Sequence, residues 1–130
     1  VTEISDESLE SDVFARDCSS REALQTITGR WGLLVLLALG ESAYRFSALR
    51  RRVDGVSERM LSQTLRNLER DGMIVRTVLE AIPPKVEYTL TPLGRQVADQ
   101  LHGLIDLVQG SMPTIREAQA QYDERQGAPS

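Results

Sequence analysis

The chain has 130 residues, 41% of them apolar, enough for one domain with a real core. One cysteine cannot form an internal disulfide. With neither a charged-plus-apolar leader nor an apolar run near the ~18 residues of a bilayer span, the expectation is a cytoplasmic protein with no membrane partner. The net charge of −4 argues against a nucleic-acid partner only until its distribution is read: residues 1–43 hold three Arg against eight acids, residues 44–95 ten Arg and Lys against six, and residues 96–130 two against five. A basic middle between acidic flanks points to one surface for an anion.

Residues 1–15 are acidic, Ser-rich and without apolar spacing, so they read as a flexible arm, with 16–130 as the folded domain. Ser19 followed by Glu22 fits a capping box opening a helix over about 20–28, with Cys18 directly before the cap. Residues 30–39 (RWGLLVLLAL) predict a helix buried on all sides and ended by Gly40. Ser47 is the expected N-cap of a helix over 48–53, Asp54-Gly55 a tight turn, and Ser57 the cap of a helix that runs to Asp71 and stops at Gly72.

The runs 73–79 and 85–90 are rich in β-branched and aromatic residues and read as strands, with residues 80–84 (EAIPP) as a stiff hairpin tip. Thr91-Pro92 opens the next helix, and Pro113 restarts it with a bend. In this segment Leu93, Val97, Leu101, Leu104, Ile105, Val108, Met112 and Ile115 recur at three- and four-residue steps. Such a stripe either continues the core or meets a second chain. Lying beyond the hairpin, it favours dimerisation helices over about 92–125, with Leu101, Leu104, Ile105, Val108 and Met112 at the interface.

On a helical wheel from Ser57, Leu61, Leu65 and Leu68 cluster on one side and Arg59, Gln63, Arg66 and Arg70 on the other. An Arg-rich exterior alone is commonly just a solvated face. Its context is a short helix, a Gly turn, a second helix with a cationic outer face and a hairpin. Together they predict a winged helix-turn-helix: mainly α with a small β-hairpin wing, an α+β fold dimeric through its terminal helices. Such a helix fits the major groove of double-stranded DNA, where Arg forks onto guanine and Gln pairs with adenine. The expected base readers are Arg59 and Gln63, flanked by Ser57, Met60 and Ser62. Phosphate contacts are expected from Arg66, Arg70, Arg45, Arg50, Arg51, Arg52 and Lys85.

The sequence resembles the HxlR-type, MarR-like winged-helix transcriptional regulators of bacteria. The resemblance lies in Gly29-Arg30-Trp31, Arg45-Phe46-Ser47-Ala48-Leu49, the run Gly55 to Gln63, the run Leu68 to Ile74, Pro83 to Tyr88, and Leu90-Thr91-Pro92-Leu93-Gly94. It implies a homodimer on a pseudo-palindromic operator, usually a repressor. It also implies a sensing role for Cys18, since many such proteins carry a cysteine before the first core helix that responds to quinones, diamide, aldehydes or hypochlorite. Where that family commonly has Pro after the cysteine, this chain has Ser19.

From the residues alone, Cys18 is either a staple packing on Ala23 or a reactive thiol. Arg16, Arg21 and the helix start favour the thiolate, and Asp17 opposes it. The resemblance turns the balance to the sensor. The reversible products would be a disulfide to the partner subunit's Cys18, a mixed disulfide or a sulfenic acid, with electrophile adducts also possible. No cofactor is expected. An enzyme is not expected either: the single histidine, His102, lies in the final helical segment, and no nucleophile elbow, phosphate loop or metal-ligand cluster is present. Two alternatives stay open: a regulator controlled by a non-covalent ligand with Cys18 structural, and a winged helix used only for protein contacts.

Overall fold

A computed structural model describes residues 12–127 and orders them as α1 (Ser19–Thr28), α2 (Arg30–Glu41), β1 (Tyr44–Arg45), α3 (Phe46–Arg52), α4 (Glu58–Arg70), β2 (Ile74–Glu80), β3 (Lys85–Leu90), α5 (Pro92–Gly110) and α6 (Met112–Arg125). The result is a mainly helical fold with a small antiparallel sheet. The expected arm lies outside the described residues as far as residue 11, as does the tail from residue 128. Residues 12–17 form turns, in which the Ala15 amide donates to the Asp12 carbonyl at 2.9 Å and the Cys18 amide to the Ala15 carbonyl at 3.1 Å.

The apolar run becomes α2, the central element, packed against α1, α3, α4, α5 and β3. Val35, Leu36 and Leu39 are buried among Leu49 of α3, Leu61, Leu65 and Leu68 of α4, Ile74, Tyr88 and Leu101. Each fully buried leucine contributes roughly 1.5–3 kcal/mol. The expectation of burial on all sides fails at Leu34, which is 37% exposed and lines a cleft with Leu37, His102 and Ile105 instead of another layer. The helix also runs past Gly40 to Glu41. At its other end α2 bends 71° from α1, and a Cβ at Gly32 would overlap the Thr26 carbonyl, so the elbow requires glycine there.

Two helix starts differ from expectation, each because a tertiary contact moved the cap. Cys18, not Ser19, is the N-cap of α1, and no side-chain cap bond forms there. Cys18 is buried in extended backbone, which sets the first helical residue at Ser19. Glu22, expected to complete a capping box, reaches Arg70 instead at 3.7 Å. Likewise α3 starts at Phe46, ahead of Ser47. Tyr44 and Arg45 pair with Tyr88 and Glu87 as a two-residue strand, and the chain enters the helix directly from it. The sheet order is therefore β1-β3-β2, one strand more than the hairpin read from sequence.

The other caps form as expected. Ser57 Oγ accepts from the Met60 amide at 3.0 Å. Gly72 (φ +76°) ends α4, with the Met73 amide bonding the Leu68 carbonyl and its own amide the Glu69 carbonyl, a Schellman arrangement. Thr91 Oγ1 accepts from the Gly94 amide at 2.9 Å and donates to the Gly72 carbonyl at 2.6 Å, locking the start of α5 to the end of α4.

The apolar stripe of α5 divides. Ala98 and Leu101 are buried, so Leu101, expected at a dimer interface, belongs to this subunit's own core, where α5 lies along α2. Farther on, Leu104, Leu107 and Val108 are 51%, 67% and 42% exposed. Helix α6, which starts after Ser111 with Pro113 in its first turn, buries no residue.

Candidate nucleic-acid interface

Helices α3 and α4 are joined through residues 53–57, where Gly55 takes the left-handed φ of +89°. The edge of the Trp31 ring lies where a Gly55 Cβ would meet it at 3.8 Å, and the Arg30 guanidinium stands 5.4 Å from that ring's centroid. The turn is thus backed by the first residues of α2. Arg50 braces it too, donating from Nε to the Val56 carbonyl at 3.5 Å.

Helix α4 turns Leu61, Thr64, Leu65 and Leu68 inward, with the Thr64 hydroxyl donating to the Met60 carbonyl at 2.7 Å. Arg59, Gln63, Arg66 and Arg70 are all exposed, Met60 is 43% exposed and Ser62 half-buried. The outer face is organised: Arg66 donates to Gln63 Oε1 at 3.1 Å, and Gln63 Nε2 donates to Asn67 Oδ1 at 3.1 Å. Asn67, not singled out from sequence, extends the polar ladder by one turn, as its position four residues after Gln63 could have indicated.

Every ion pair found among the described residues engages a cation expected on DNA. Arg50 lies 4.0 Å from Glu58, Arg52 2.6 Å from Glu41, Arg70 3.7 Å from Glu22 and Lys85 3.4 Å from Glu80. Exposed pairs of this kind contribute about 0–1 kcal/mol, so a phosphate can compete for three of these cations. Arg52 is different: it grips both Glu41 oxygens and lines the cleft with Leu34 and His102, whereas Arg50 and Arg51 line another cleft with Ser47 and Glu58. Arg52, expected on phosphate, is thus held by a carboxylate and lines a different cleft from its two neighbours. Arg45, Arg51, Arg59 and Arg66 have no carboxylate within 4 Å among the described residues.

Cys18 is 4% exposed, and its Sγ lies 3.0 Å from Ser20 Oγ. Arg21 donates to the Phe14 carbonyl at 3.2 Å, holding the preceding turns against α1. Arg16 and Asp17 are exposed, and with Cys18, Arg21 and Glu22 they line an open cleft. A second cleft, about 350 Å³, lies between α2, α3 and α5, where Glu41, Arg52 and His102 meet Leu34, Val53 and Ile105. Among the described residues, no group of three or more His, Cys, Asp or Glu is arranged to hold a metal, and no single helix is long and apolar enough to cross a membrane.

A helix-turn-helix with an arginine-rich second helix, followed by a β-hairpin wing whose sheet is completed by β1, defines a winged-helix DNA-binding transcriptional regulator. The family described as HxlR-like helix-turn-helix matches residues 26–116, and the chain belongs to that family. It is 48% identical over 116 residues to the HTH-type transcriptional regulator YtfH of Escherichia coli, covering 89% of this chain and 90% of that one. The solved structure of YtfH from Salmonella typhimurium is similar with a TM-score of 0.79 at 46% identity, over 84% of this chain and 97% of that one. The redox regulator HypR in its reduced form is similar with a TM-score of 0.69 at 30% identity, over 75% and 97%. The family and these relatives are transcriptional regulators, not enzymes.

Proposed function

We propose that the protein is a homodimeric repressor that reads a pseudo-palindromic operator with α4 and releases it when Cys18 is oxidised or modified by an electrophile. The observation that carries the DNA-reading part is the exposed row of Arg59, Gln63 and Arg66 on a helix whose opposite face is locked into the core. Arg59 and Gln63 meet base edges, flanked by Ser57, Met60 and Ser62, and Gln63 exchanges its bonds to Arg66 and Asn67 for an adenine edge. Arg66, Arg70, Arg45, Arg50, Arg51 and Lys85 hold phosphates. The exposed Leu104, Leu107 and Val108, with Ile105 and Met112, form the seam between the subunits.

Control through Cys18 is supported by its place at the start of α1 and by the likeness to HypR, a redox regulator. Its burial means that an oxidant reaches it when the turns at 12–17 open. Glu22, one turn on, pairs with Arg70 of α4, which gives displacement of α1 a route to the recognition helix. The test is fluorescence anisotropy on the chain's own upstream DNA, titrated with diamide and then reductant. Binding lost and then restored is expected, and a Cys18→Ser variant that still lets go under diamide overturns thiol control.

One observation favours a second reading: the cleft of about 350 Å³ between α2, α3 and α5 pairs an apolar wall with Glu41, Arg52 and His102. A small ligand there would control DNA binding non-covalently, with Cys18 structural. DNA release that survives complete alkylation of Cys18 supports it.

A further inference from the structure

We propose that the cleft between α4 and the base of the wing holds one phosphate of bound DNA, with Ser62 and Arg66 on one wall and Arg76 on the other. This rests on the DNA-binding reading above and assigns the wing's contact to a residue that the sequence did not single out. The cleft encloses about 400 Å³, and Phe46, Leu65, Tyr88 and Glu69 complete it. Its shape follows from the chain path. The Gly72 cap turns α4 directly into β2, so Arg76, the third residue of that strand, stands beside the helix it has just left. Ser62 and Arg66, four residues apart, share a face of α4. Arg76 lies directly across from Tyr88 in the sheet, so both side chains project from the same face, the one that lines this cleft.

The charges select the ligand. Among the described residues, neither Arg66 nor Arg76 has a carboxylate within 4 Å, although Glu69 lines the same cleft. Two guanidinium groups and one carboxylate leave a single positive charge, which one phosphodiester neutralises. Guanidinium forks match pairs of phosphate oxygens, and a serine hydroxyl can donate to the same group. Lys85, by contrast, stands at the far end of the hairpin with Glu80 3.4 Å away. Among the described residues, Arg76 is therefore the wing cation that lies beside α4 with no carboxylate within 4 Å.

The experiment measures affinity for a fluorescently labelled duplex of random sequence across a salt series, since a phosphate contact carries no sequence information. Each lost contact makes the slope of log affinity against log salt shallower by about 0.9 per subunit. Arg76→Gln, Arg66→Gln and the double variant are each expected to lose about that one unit, because all three remove the same contact. Arg125→Gln, a charge loss on α6, is expected to leave the slope at the wild-type value. An unchanged slope in Arg76→Gln overturns the proposal, and so does a double variant that loses two units, which would mean separate phosphates. Wild-type protein with no salt-dependent affinity for any duplex overturns the DNA reading itself, an outcome distinct from either.

Discussion

Arg52 of α3 donates to both carboxylate oxygens of Glu41 at the end of α2, from Nε to Oε1 at 2.8 Å and from Nη2 to Oε2 at 2.6 Å. The Tyr44 hydroxyl donates to the same Oε1 at 3.3 Å, so three consecutive elements converge on one carboxylate. This fork runs from the end of α2 to the end of α3, the first helix of the helix-turn-helix, and fixes how α3 sits against the central helix.

The hydrogen bond from Arg52, with that cation's charge and the Tyr44 hydroxyl, holds the Glu41 carboxyl below the ordinary carboxylate value, and Arg52 is raised in turn. A group whose pKa is depressed by folding contributes stability that is present above its unfolded value and is lost as pH falls through its folded one. Wild type and Glu41→Gln are therefore expected to differ in melting temperature at neutral pH and to converge on acidification through that window. A gap that persists undiminished below it would show that the carboxylate charge contributes nothing.

Gly94→Ala is expected to destabilise the fold by on the order of 3 kcal/mol, because the added Cβ would overlap the Met73 carbonyl, which is backbone held by the cap of α4. Urea unfolding should report it as a lower midpoint at unchanged slope. Gly103→Ala, where nothing lies within 4 Å, serves as the comparison and should not lower the midpoint.

Thr91→Val removes both the cap of α5 and the bond to the Gly72 carbonyl while keeping the side-chain shape. A loss of about 1–2 kcal/mol follows from the cap alone. Hydrogen exchange should speed most at the Gly94 amide, and protection equal to wild type there would exclude the cap as a source of stability.

Leu107→Asp places a charge at a 67% exposed position on the free half of α5, where the subunit's own core has nothing to lose. Sedimentation is expected to show a monomer with an unchanged melting profile at low concentration. A dimer that persists at wild-type strength would move the seam elsewhere.

Arg59→Ala is expected to relax discrimination at one base position by roughly 1–3 kcal/mol, while Arg51→Ala weakens all duplexes alike and reduces the salt slope by about one unit. Competition against single-base operator variants separates the two.

What the sequence by itself determined was local. The leucine and arginine faces of α4, the caps at Ser57 and Thr91, the Gly55 and Gly72 turns and the hairpin all follow from spacing and backbone preference within a few residues, and the structure has each of them. The arginines were equally legible as an exposed cationic surface, because a charged side chain opposite a leucine stripe has nowhere to go but solvent.

Tertiary structure alone decided what each of those groups meets. Ser47 reads as a cap until β1 pairs with β3 and starts the helix earlier, and Leu101 reads as interface until α5 lies against α2. No spacing named the partner of Arg52: Glu41, eleven residues back, takes both ends of its fork. Arg76 reads as an ordinary strand residue until the Gly72 cap folds the wing beside α4. In each case the deciding partner is brought in from another element, and its distance depends on how the helices cross, which no spacing along the chain encodes.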